Sequence, residues 1–578
     1  MNLKCLTNLV MKTIALVLAS PRPAVPRLSR ESVLQGVVML IFFQATAAFA
    51  GSATWKAIPA TENWFTASNW TPGTIPNGPA DTATFASSNQ RSPFIGFDTE
   101  LNGIVFNPRA SAFTIVNAPL TSPTLTISGA GITNNSGIVQ HFAFEFGSAQ
   151  MVFLNSATAG NLTAFTTTNI TFGGTSSAGN ATFANNGLMN FTNASTASGA
   201  RITNHAELIF DGSSTAGNGT FTQGANDFAG FINFQDTSSG GNGTFTNTGG
   251  KVSGDDGGVI VFNGGTAGNA TFTNNGGAVS GAFGGRTLFN DTGAAGSATL
   301  IANAGSGGGP GGSIQFLNAS TGGRARVEVF GNGNLDISGH AAPGMTVGSI
   351  QGNGRVFLGS RKLTVGSNNQ NTNFSGSIQD GGANGGIGGS LAKTGTGELV
   401  LAHRNTYTGG TIIRRGHLTV NNQGGSGTGI GLVQVNGGFL SGKGIITGAV
   451  NIGNGVSAGA VLLPGTAGTP GNLTINNSLT FNPLSTYECV LVRTTPAVGK
   501  VNALGVIIHS GVTFEFVDRT TGILTRGAVF TAINNISANP IGGTFANLAD
   551  GTTFSSGGNT FKANYEGGSG NDLVLTVQ

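Results

Sequence analysis

Acidic side chains are the residues of this 578-residue chain with the chemistry of a polysaccharide hydrolase or lyase. Such a site needs two or three carboxylates on one face, or a basic residue beside bound calcium. Ten acidic residues are scattered through one stretch: Glu145, Glu207, Asp211, Asp227, Asp236, Asp255, Asp256, Asp291, Glu328 and Asp336. Within the repeats only Asp255 and Asp256 are adjacent, and neighbouring strand residues point to opposite faces. Because glycines flank this pair, it favours a turn, and we assign no catalytic residue.

Other ligand-binding motifs are single or dispersed. The segment Gly567–Leu575 fits the nonapeptide G-G-x-G-x-D-x-U-x of calcium β-rolls. Calcium takes about six to eight oxygens, and a roll obtains them from consecutive copies. The single copy therefore favours a turn before the last strand. The six histidines lack paired ligand spacing, and Cys489 is the one cysteine beyond residue 50. We predict no metal site, no cofactor and no disulfide.

The composition indicates β-structure rather than charged helices. Asp, Glu, Lys and Arg make up 8% of the chain, against about 25% in ordinary globular proteins. Glycine contributes 97 residues and phenylalanine 39, which suits strands joined by tight turns. The net charge of +3 comes from the first 50 residues, because the rest holds 21 basic and 22 acidic groups. No basic patch for phosphate binding is visible, so we expect no nucleic-acid partner.

The first 50 residues have the pattern of an export signal. Three arginines precede the apolar run 33–43, and Ala48–Ala50 supplies a small-x-small cleavage site. The run is shorter than the roughly 20 residues of a membrane-spanning helix. We predict a signal peptide cleaved after Ala50 and a secreted or cell-surface protein. Retention of this segment as an anchor is the alternative.

A ten-residue phrase recurs through the middle of the chain. It reads AGNATFANNG at 178–187, AGNGTFTQGA at 216–225 and AGNATFTNNG at 267–276. Units anchored on its glycine begin at Gly160, Gly179, Gly199, Gly217, Gly241, Gly268, Gly296 and Gly323. Each unit has a second apolar segment, such as Phe231–Phe234. A repeat of this length with two or three short strands predicts one rung of a β-solenoid.

Stacking of rungs explains the residue types. Equivalent residues of parallel rungs lie about 4.8 Å apart, so like charges would repel along a column. We predict an internal aromatic stack of Phe183, Phe221, Phe245 and Phe272. We also predict an amide ladder at a turn, formed by Asn180, Asn218, Asn242 and Asn269.

All three tryptophans, Trp55, Trp64 and Trp70, lie before the repeats, in residues 51–150. A solenoid must cover its first rung, so a capping role is the structural interpretation. Aromatic rings can also form a platform for sugars, and that alternative stays open.

The segment 391–421 reads LAKTGTGELVLAHRNTYTGGTIIRRGHLTVN. It resembles the autotransporter-associated β-strand repeat, or passenger-associated transport repeat, of bacterial autotransporter proteins. The residues in register are Lys393, Gly395, Gly397, Leu399, Leu401, Asn405, Tyr407, Gly409, Gly410, Thr411, Gly416, Leu418 and Val420. A second segment, 433–453, has a similar pattern of glycine and leucine residues. The resemblance implies a right-handed parallel β-helix, a secreted or outer-membrane passenger domain of adhesin-like type, and no reaction.

The segment departs from the family pattern at His403-Arg404 and Arg414-Arg415. We expect these cations on loops that face water, with a small anionic ligand site as the alternative. A complete autotransporter ends in a membrane barrel of roughly 12 strands. Only about 100 residues follow Phe481, so we expect no membrane barrel of its own.

These observations predict an all-β, right-handed parallel β-helix with β-rich caps at both ends. The predicted parts are a signal peptide (1–50), an N-terminal cap (51–150), repeated rungs (151–345), a helix with passenger repeats (346–480) and a C-terminal β region (481–578). We predict a structural or adhesive, non-catalytic role, with a cell-surface or matrix polysaccharide or protein as partner. The alternatives are a polysaccharide lyase or hydrolase, and a sugar-binding module using the tryptophans.

Overall fold

The computed structural model shows a β-solenoid of about 18 turns, in which parallel strands stack on one another. The structure describes residues 50–118, 121–145, 147–224, 230–494, 496–519 and 522–578. Ala50–Gln578 forms one compact unit. Within the described ranges the only helix is the 3₁₀ turn Ala67–Asn69, and no helix there has the length and apolar character to cross a membrane. The predicted all-β parallel β-helix is confirmed, whereas the predicted signal lies outside the described residues.

The strands are short and follow one another closely. The first part of the chain contains β1 Ala53–Trp55, β2 Trp70–Thr71, β3 Gly78–Phe85, β4 Phe94–Ile95, β5 Thr99–Phe106, β6 Thr114–Asn117, β7 Thr124–Asn134, β8 Gln140–Phe144 and β9 Gln150–Phe153. The central rungs contain β10 Thr163–Phe172, β11 Thr182–Phe191, β12 Arg201–Asn204, β13 Glu207–Phe210, β14 Thr220–Gln223, β15 Phe231–Gln235, β16 Thr244–Asn247, β17 Val259–Asn263, β18 Thr271–Asn274, β19 Arg286–Asn290, β20 Thr299–Ala302, β21 Ser313–Phe316, β22 Arg326–Val329 and β23 Asn334–Asp336.

The later rungs contain β24 Gly344–Val347, β25 Ser349–Gly352, β26 Arg355–Phe357, β27 Lys362–Val365, β28 Thr372–Phe374, β29 Ser377–Gln379, β30 Ser390–Lys393, β31 Glu398–Leu401, β32 Thr411–Ile413, β33 His417–Val420, β34 Val433–Val435, β35 Gly438–Gly442, β36 Ile445–Ile446 and β37 Val450–Ile452. The last part contains β38 Ala460–Thr466, β39 Thr469–Pro470, β40 Asn472–Ile475, β41 Leu479–Phe481, β42 Ser485–Val492, β43 Ala497–Val498, β44 Lys500–Ala503, β45 Val506–Ile508, β46 Thr513–Asp518, β47 Val529–Asn535, β48 Thr553–Ser556, β49 Asn559–Gly567 and β50 Asp572–Val577.

Most strands pair in parallel with the equivalent strand of the next rung. In β14, β16 and β18, for example, Phe221 pairs with Phe245 and Phe245 with Phe272. The strands fall into sheets of 35, 8 and 7 strands. Antiparallel pairs occur towards the two ends, where β1 pairs with β2 and where β47, β50, β49 and β48 follow one another.

The rungs are of equal length at first and then become longer. A column of parallel bridges joins equivalent turn residues: Thr158, Ser177, Thr196, Thr215, Ser239, Thr266, Ala294 and Thr321. The residue two positions after each bridge residue has positive φ, and it is a glycine in every one of these rungs except one. In that rung Ser198 has φ 52°, so Ser198 and not Gly199 is the true anchor. The predicted anchor at Gly199 is therefore one residue too late, because the bridges from Thr158 to Thr215 are evenly spaced.

Two columns of phenylalanine rings fill the core. Phe221, Phe245 and Phe272 stack with centroids 4.4 and 4.6 Å apart, as predicted. Phe183 does not stack on Phe221, because Ile202 of β12 lies between them in register. The second column was not predicted as a stack and is longer: Phe153, Phe172, Phe191, Phe210, Phe234, Phe262, Phe289 and Phe316.

Amide side chains form ladders outside and inside the coil. The predicted outer ladder is present where Asn242 donates to Asn218 and Asn269 donates to Asn242, at 3.2 and 3.3 Å. Asn180 instead donates to Asn161 of the preceding rung. The buried ladder was not predicted and includes Asn185–Asn204, Asn204–Gln223 and Asn247–Asn274 at 2.6–2.7 Å. These bonds satisfy most of the buried amide groups, whereas the Oδ1 of Asn247 accepts no hydrogen bond from the described residues.

Candidate functional site

The segment 391–420 forms two successive rungs of the solenoid. Strands β30 and β32 pair in one sheet, with Leu391 opposite Thr411, and β31 and β33 pair in another, with Glu398 opposite His417. Outward-facing residues alternate with buried leucines and valines, which is the pattern of a strand with one face in the core. The segment is therefore part of the scaffold, and its polar residues need a structural account before a functional one.

Lys393 points into the protein. Its residue is 1% exposed, and its Nζ donates to the carbonyl oxygens of Thr394, Gly395 and Arg415 at 2.5, 3.4 and 3.5 Å. Gly395 has φ 67°, and a Cβ there would lie 1.9 Å from the Gly366 carbonyl oxygen. Burial lowers the pKa of Lys393 to about 8, against the opposing effect of Glu398. The ammonium group thus joins two turns from inside and is not available to a ligand.

Asn405 and Tyr407 are also used internally. The Asn405 Oδ1 accepts a hydrogen bond from the Ile378 backbone N–H at 2.7 Å, and its Nδ2 donates to the Gly427 carbonyl at 2.6 Å. The Tyr407 hydroxyl is 2.6 Å from Thr411 Oγ1, and burial raises the pKa of Tyr407. Asn405 joins three successive rungs. The repeat residues identified from the sequence thus stabilise the coil.

A polar cleft of about 420 Å³ lies beside this repeat and contains Glu398, His417, Thr419 and Ser441. Thr419 Oγ1 donates to Glu398 at 2.5 Å and lies 2.8 Å from Ser441 Oγ. The His417 ring stacks flat on Phe439 at 4.2 Å, and burial lowers its pKa against the opposing effect of Glu398. A nucleophilic serine needs a base within hydrogen-bond reach. Ser441 bonds to Thr419 and to the Leu418 carbonyl, so this cleft contains a hydroxyl ladder rather than an activated nucleophile.

The cations that depart from the family pattern face water, as predicted. His403 and Arg404 are exposed between β31 and β32, and Arg414 and Arg415 are exposed before Gly416. The two pairs belong to different turns. The alternative of an anionic ligand site at these residues stays a prediction.

The acidic residues of the hydrolase hypothesis are mostly in turns. Asp236 and Asp291 occupy the left-handed position of one corner, with φ 50° and 49°, and Asp211 precedes Gly212 at the same corner. Their oxygens accept hydrogen bonds locally: Asp211 from the Gly212 N–H, and Asp291 from Asn318. Asp211 and Asp291 are separated by three rung steps, which is about 14 Å. This separation exceeds the roughly 5–10 Å between the two carboxyl groups of a glycosidase. Asp227 lies outside the described residues.

The Asp255-Asp256 turn and the nonapeptide turn are both confirmed. Asp255 is buried and accepts the backbone N–H groups of Lys251 and Val252 at 3.0 Å, whereas Asp256 is exposed. The nonapeptide joins β49 to β50. Its Asp572 carboxylate accepts the Asn535 N–H at 2.9 Å. Both carboxylates thus fix backbone conformation.

The tryptophans do not form a surface platform. Trp55, Trp64 and Trp70 are 0–1% exposed, and Trp70 packs edge-on against the other two rings at 5.0 and 4.8 Å. Each indole N–H is used, including that of Trp64, which donates to the Pro76 carbonyl at 3.0 Å. The sugar-binding alternative based on these rings is therefore wrong, because no ring face is accessible.

Comparison with protein families gave a match of the passenger-associated-transport-repeat to residues 391–420. The chain contains a passenger-associated transport repeat. The resemblance stated from the sequence is thus confirmed for this segment, whose lysine, asparagine and tyrosine are the internal groups described above. The comparison with curated proteins gave no match.

Among solved structures, the chain is similar to the crystal structure of the Haemophilus influenzae Hap adhesin, at 10% identity and a TM-score of 0.26. The matched region covers 86% of this chain, and the repeat protein spans 64% of the length of that adhesin chain. A similarity of this level carries no argument about function.

Sequence reasoning missed a second cleft, which lies where the rungs lengthen. It is lined by Phe283, Arg286, Gln315 and Phe357, among others. The signal that could have found it is the growing distance between successive copies of the repeated phrase, because the added residues must form loops outside the coil.

Proposed function

We propose that the protein is a secreted or cell-surface β-solenoid with a structural or adhesive, non-catalytic role. The observation that carries the proposal is the passenger-associated transport repeat, whose polar residues hold successive rungs together. The repeat is named for its association with the transport of passenger domains. The sequence of residues 1–50, with its basic residues, apolar run and small-x-small site, supports the same location.

An adhesive role suits the architecture. In a solenoid each rung contacts mainly its neighbours, so the side faces are long, repetitive and open to partners. The low charge of the chain is a consequence of stacking and leaves hydroxyl and amide groups as the main surface chemistry. A cell-surface or matrix polysaccharide or protein is the partner class that we propose.

The test of location is fractionation of the producing cells, with mass spectrometry of the mature N-terminus. We expect the chain in the medium or accessible to protease on intact cells, with Gly51 as its first residue. The control is the double variant Val37→Asp, Leu40→Asp, which interrupts the apolar run and should hold the chain inside the cell. A wild-type chain that stays internal with Met1 present would refute the proposal.

The test of adhesion uses cells in which the gene is deleted. We expect reduced adherence to polysaccharide-coated surfaces, restored by the wild-type gene and not by the export-deficient double variant. Equal adherence of deleted and wild-type cells, with the chain demonstrably at the surface, would leave only the structural role.

A further inference from the structure

The second cleft, here called the lateral cleft, has a volume of about 500 Å³ and lies on the outer side of the solenoid. Phe283 and Pro310 line it from loops that precede β19 and β21, and Phe357 lines it from β26. Gly382 and Ala383 contribute from a later loop. Pockets of roughly 300–1,000 Å³ are the usual size for small ligands. The lateral cleft is therefore large enough for a segment of an oligomeric ligand.

The floor of the lateral cleft is a grid of outward-facing side chains. Arg286, Ser313 and Asn334 are in register on three successive rungs. Gln315 Nε2 donates to Ser313 Oγ at 3.3 Å, and Ser313 Oγ donates to Asn334 Oδ1 at 2.9 Å. This chain of hydrogen bonds holds the amide groups of Gln315 and Asn334 at the floor. Amides at fixed positions can donate to and accept from hydroxyl groups of a ligand.

The cleft lining carries one cation, Arg286, and one carboxylate, Asp336, which lies two rungs and two strand positions away from it. The Asp336 carboxylate is buried, and its two oxygens already accept the backbone N–H groups of Ser338 and Ala383, both at 2.8 Å. Arg286 is exposed, and no carboxylate of the described ranges lies within ion-pair distance of it. A guanidinium group binds a carboxylate by two parallel hydrogen bonds. The Arg286 end of the cleft can thus bind a carboxylate of a ligand, whereas the Asp336 end favours its neutral hydroxyl groups.

Aromatic rings lie at both ends of the grid. Phe283 is 53% exposed, although its backbone is fixed: its N–H donates to the Asp255 carbonyl at 2.9 Å, and its carbonyl accepts the Gly250 N–H at 2.8 Å. Phe357 is half-buried and follows Asp336 in register. Phe283 and Phe357 thus give the lining of the cleft two aromatic surfaces against which a ring of a ligand could pack.

We propose that the lateral cleft binds an acidic saccharide, with a uronate carboxylate on Arg286 and sugar rings packed against Phe283 and Phe357. A peptide is less suited, because β21 at the floor is paired on both sides by β19 and β23 and offers no free strand edge. The proposal rests on the proposed function, since it supplies the adhesive contact.

The test is calorimetry on the purified full chain with three probes: oligogalacturonate, a neutral cello-oligosaccharide and polyglutamate. We expect binding of oligogalacturonate that weakens with salt, and little binding of the neutral sugar. Arg286→Gln and Phe283→Ala should each raise Kd by about tenfold or more, since each removes one principal contact. The matched controls are Arg201→Gln and Phe97→Ala, which change exposed residues of the same types outside the cleft.

Three results would overturn the proposal: no binding of oligogalacturonate, equal weakening by the control variants, or binding of polyglutamate as tight as that of the saccharide. Unchanged thermal unfolding of the four variants verifies that the fold is intact. Failure of this proposal is distinguishable from failure of the proposed function. A chain that is exported and adhesive but does not bind the saccharide refutes only the cleft, and a chain that binds it but is not exported refutes only the location.

Discussion

Replacing Phe245 by alanine removes one ring from the middle of an aromatic column. Phe245 is 0% exposed and stacks between Phe221 and Phe272, with ring planes within 8° of parallel. It also meets Phe234 of the second column edge-on at 5.8 Å. Because strands fix the rungs on both sides, the space left by the ring cannot close by collapse.

The expected loss is about 3–5 kcal/mol in the free energy of unfolding, the range for buried Phe→Ala substitutions with a residual cavity. Part of this loss in the free energy of unfolding comes from the stacking of the aromatic rings. Aromatic pairs contribute about 0.5–1.5 kcal/mol beyond their buried area, and Phe245 has two stacked neighbours. A double-mutant cycle with Phe272→Ala should therefore show a coupling energy of about that size.

The assay is urea denaturation followed by far-ultraviolet circular dichroism, with local hydrogen exchange at β14, β16 and β18. Hydrogen exchange is needed because a solenoid can unfold rung by rung rather than in one step. The matched control is Phe283→Ala, which changes an exposed ring and should alter stability by less than about 0.5 kcal/mol. Equal effects of the two substitutions, or a loss below about 1 kcal/mol at Phe245, would refute the account of the stacked core.

Three further predictions concern buried polar groups. Burial lowers the pKa of Lys393 from 10.5 to about 8. Between these pH values the unfolded chain binds more protons than the folded chain, so the free energy of unfolding rises with pH across that window. Lys393→Met should abolish this rise in urea titrations. Asn247→Ala should cost about 1–3 kcal/mol in thermal unfolding, because it leaves buried partners unpaired, whereas Asn269→Ala on the exposed ladder should cost little. Tyr407→Phe should cost about 1 kcal/mol because it removes the buried hydrogen bond to Thr411 Oγ1, which keeps its bond to the Thr428 carbonyl, and an unchanged denaturation midpoint would contradict this.

The rungs could be predicted from the sequence because stacking requires the same side-chain types at equivalent positions of successive rungs. The misplaced anchor at Gly199 shows the limit of this reasoning. In that rung the phrase reads Ala197-Ser198-Gly199-Ala200, so alignment on the alanines would have placed Ser198 at the left-handed position. Glycine is the usual residue at positive φ, so an anchor placed by residue type falls on Gly199.

The environment of single side chains could not be predicted. Lysine is almost never fully buried, so nothing in the sequence indicated that Lys393 binds three carbonyl groups from inside. The position of the tryptophans before the repeats predicts a capping role and leaves a sugar platform as the alternative. Their burial depends on carbonyl partners such as Gln90, which is far along the chain from Trp55. The lateral cleft combines residues from several rungs, and its existence depends on loops whose path the repeat pattern does not specify.

The constant rung length between Gly160 and Gly217 has a consequence for how such genes change. Excision of a DNA segment that encodes one rung, for example 179–197, would join Ala178 to Ser198 and keep every column in register. Slippage between neighbouring copies would therefore lengthen or shorten the molecule by whole rungs. Each such event would move the lateral cleft by one rung relative to the N-terminal end of the solenoid, so the distance between the two is a heritable length.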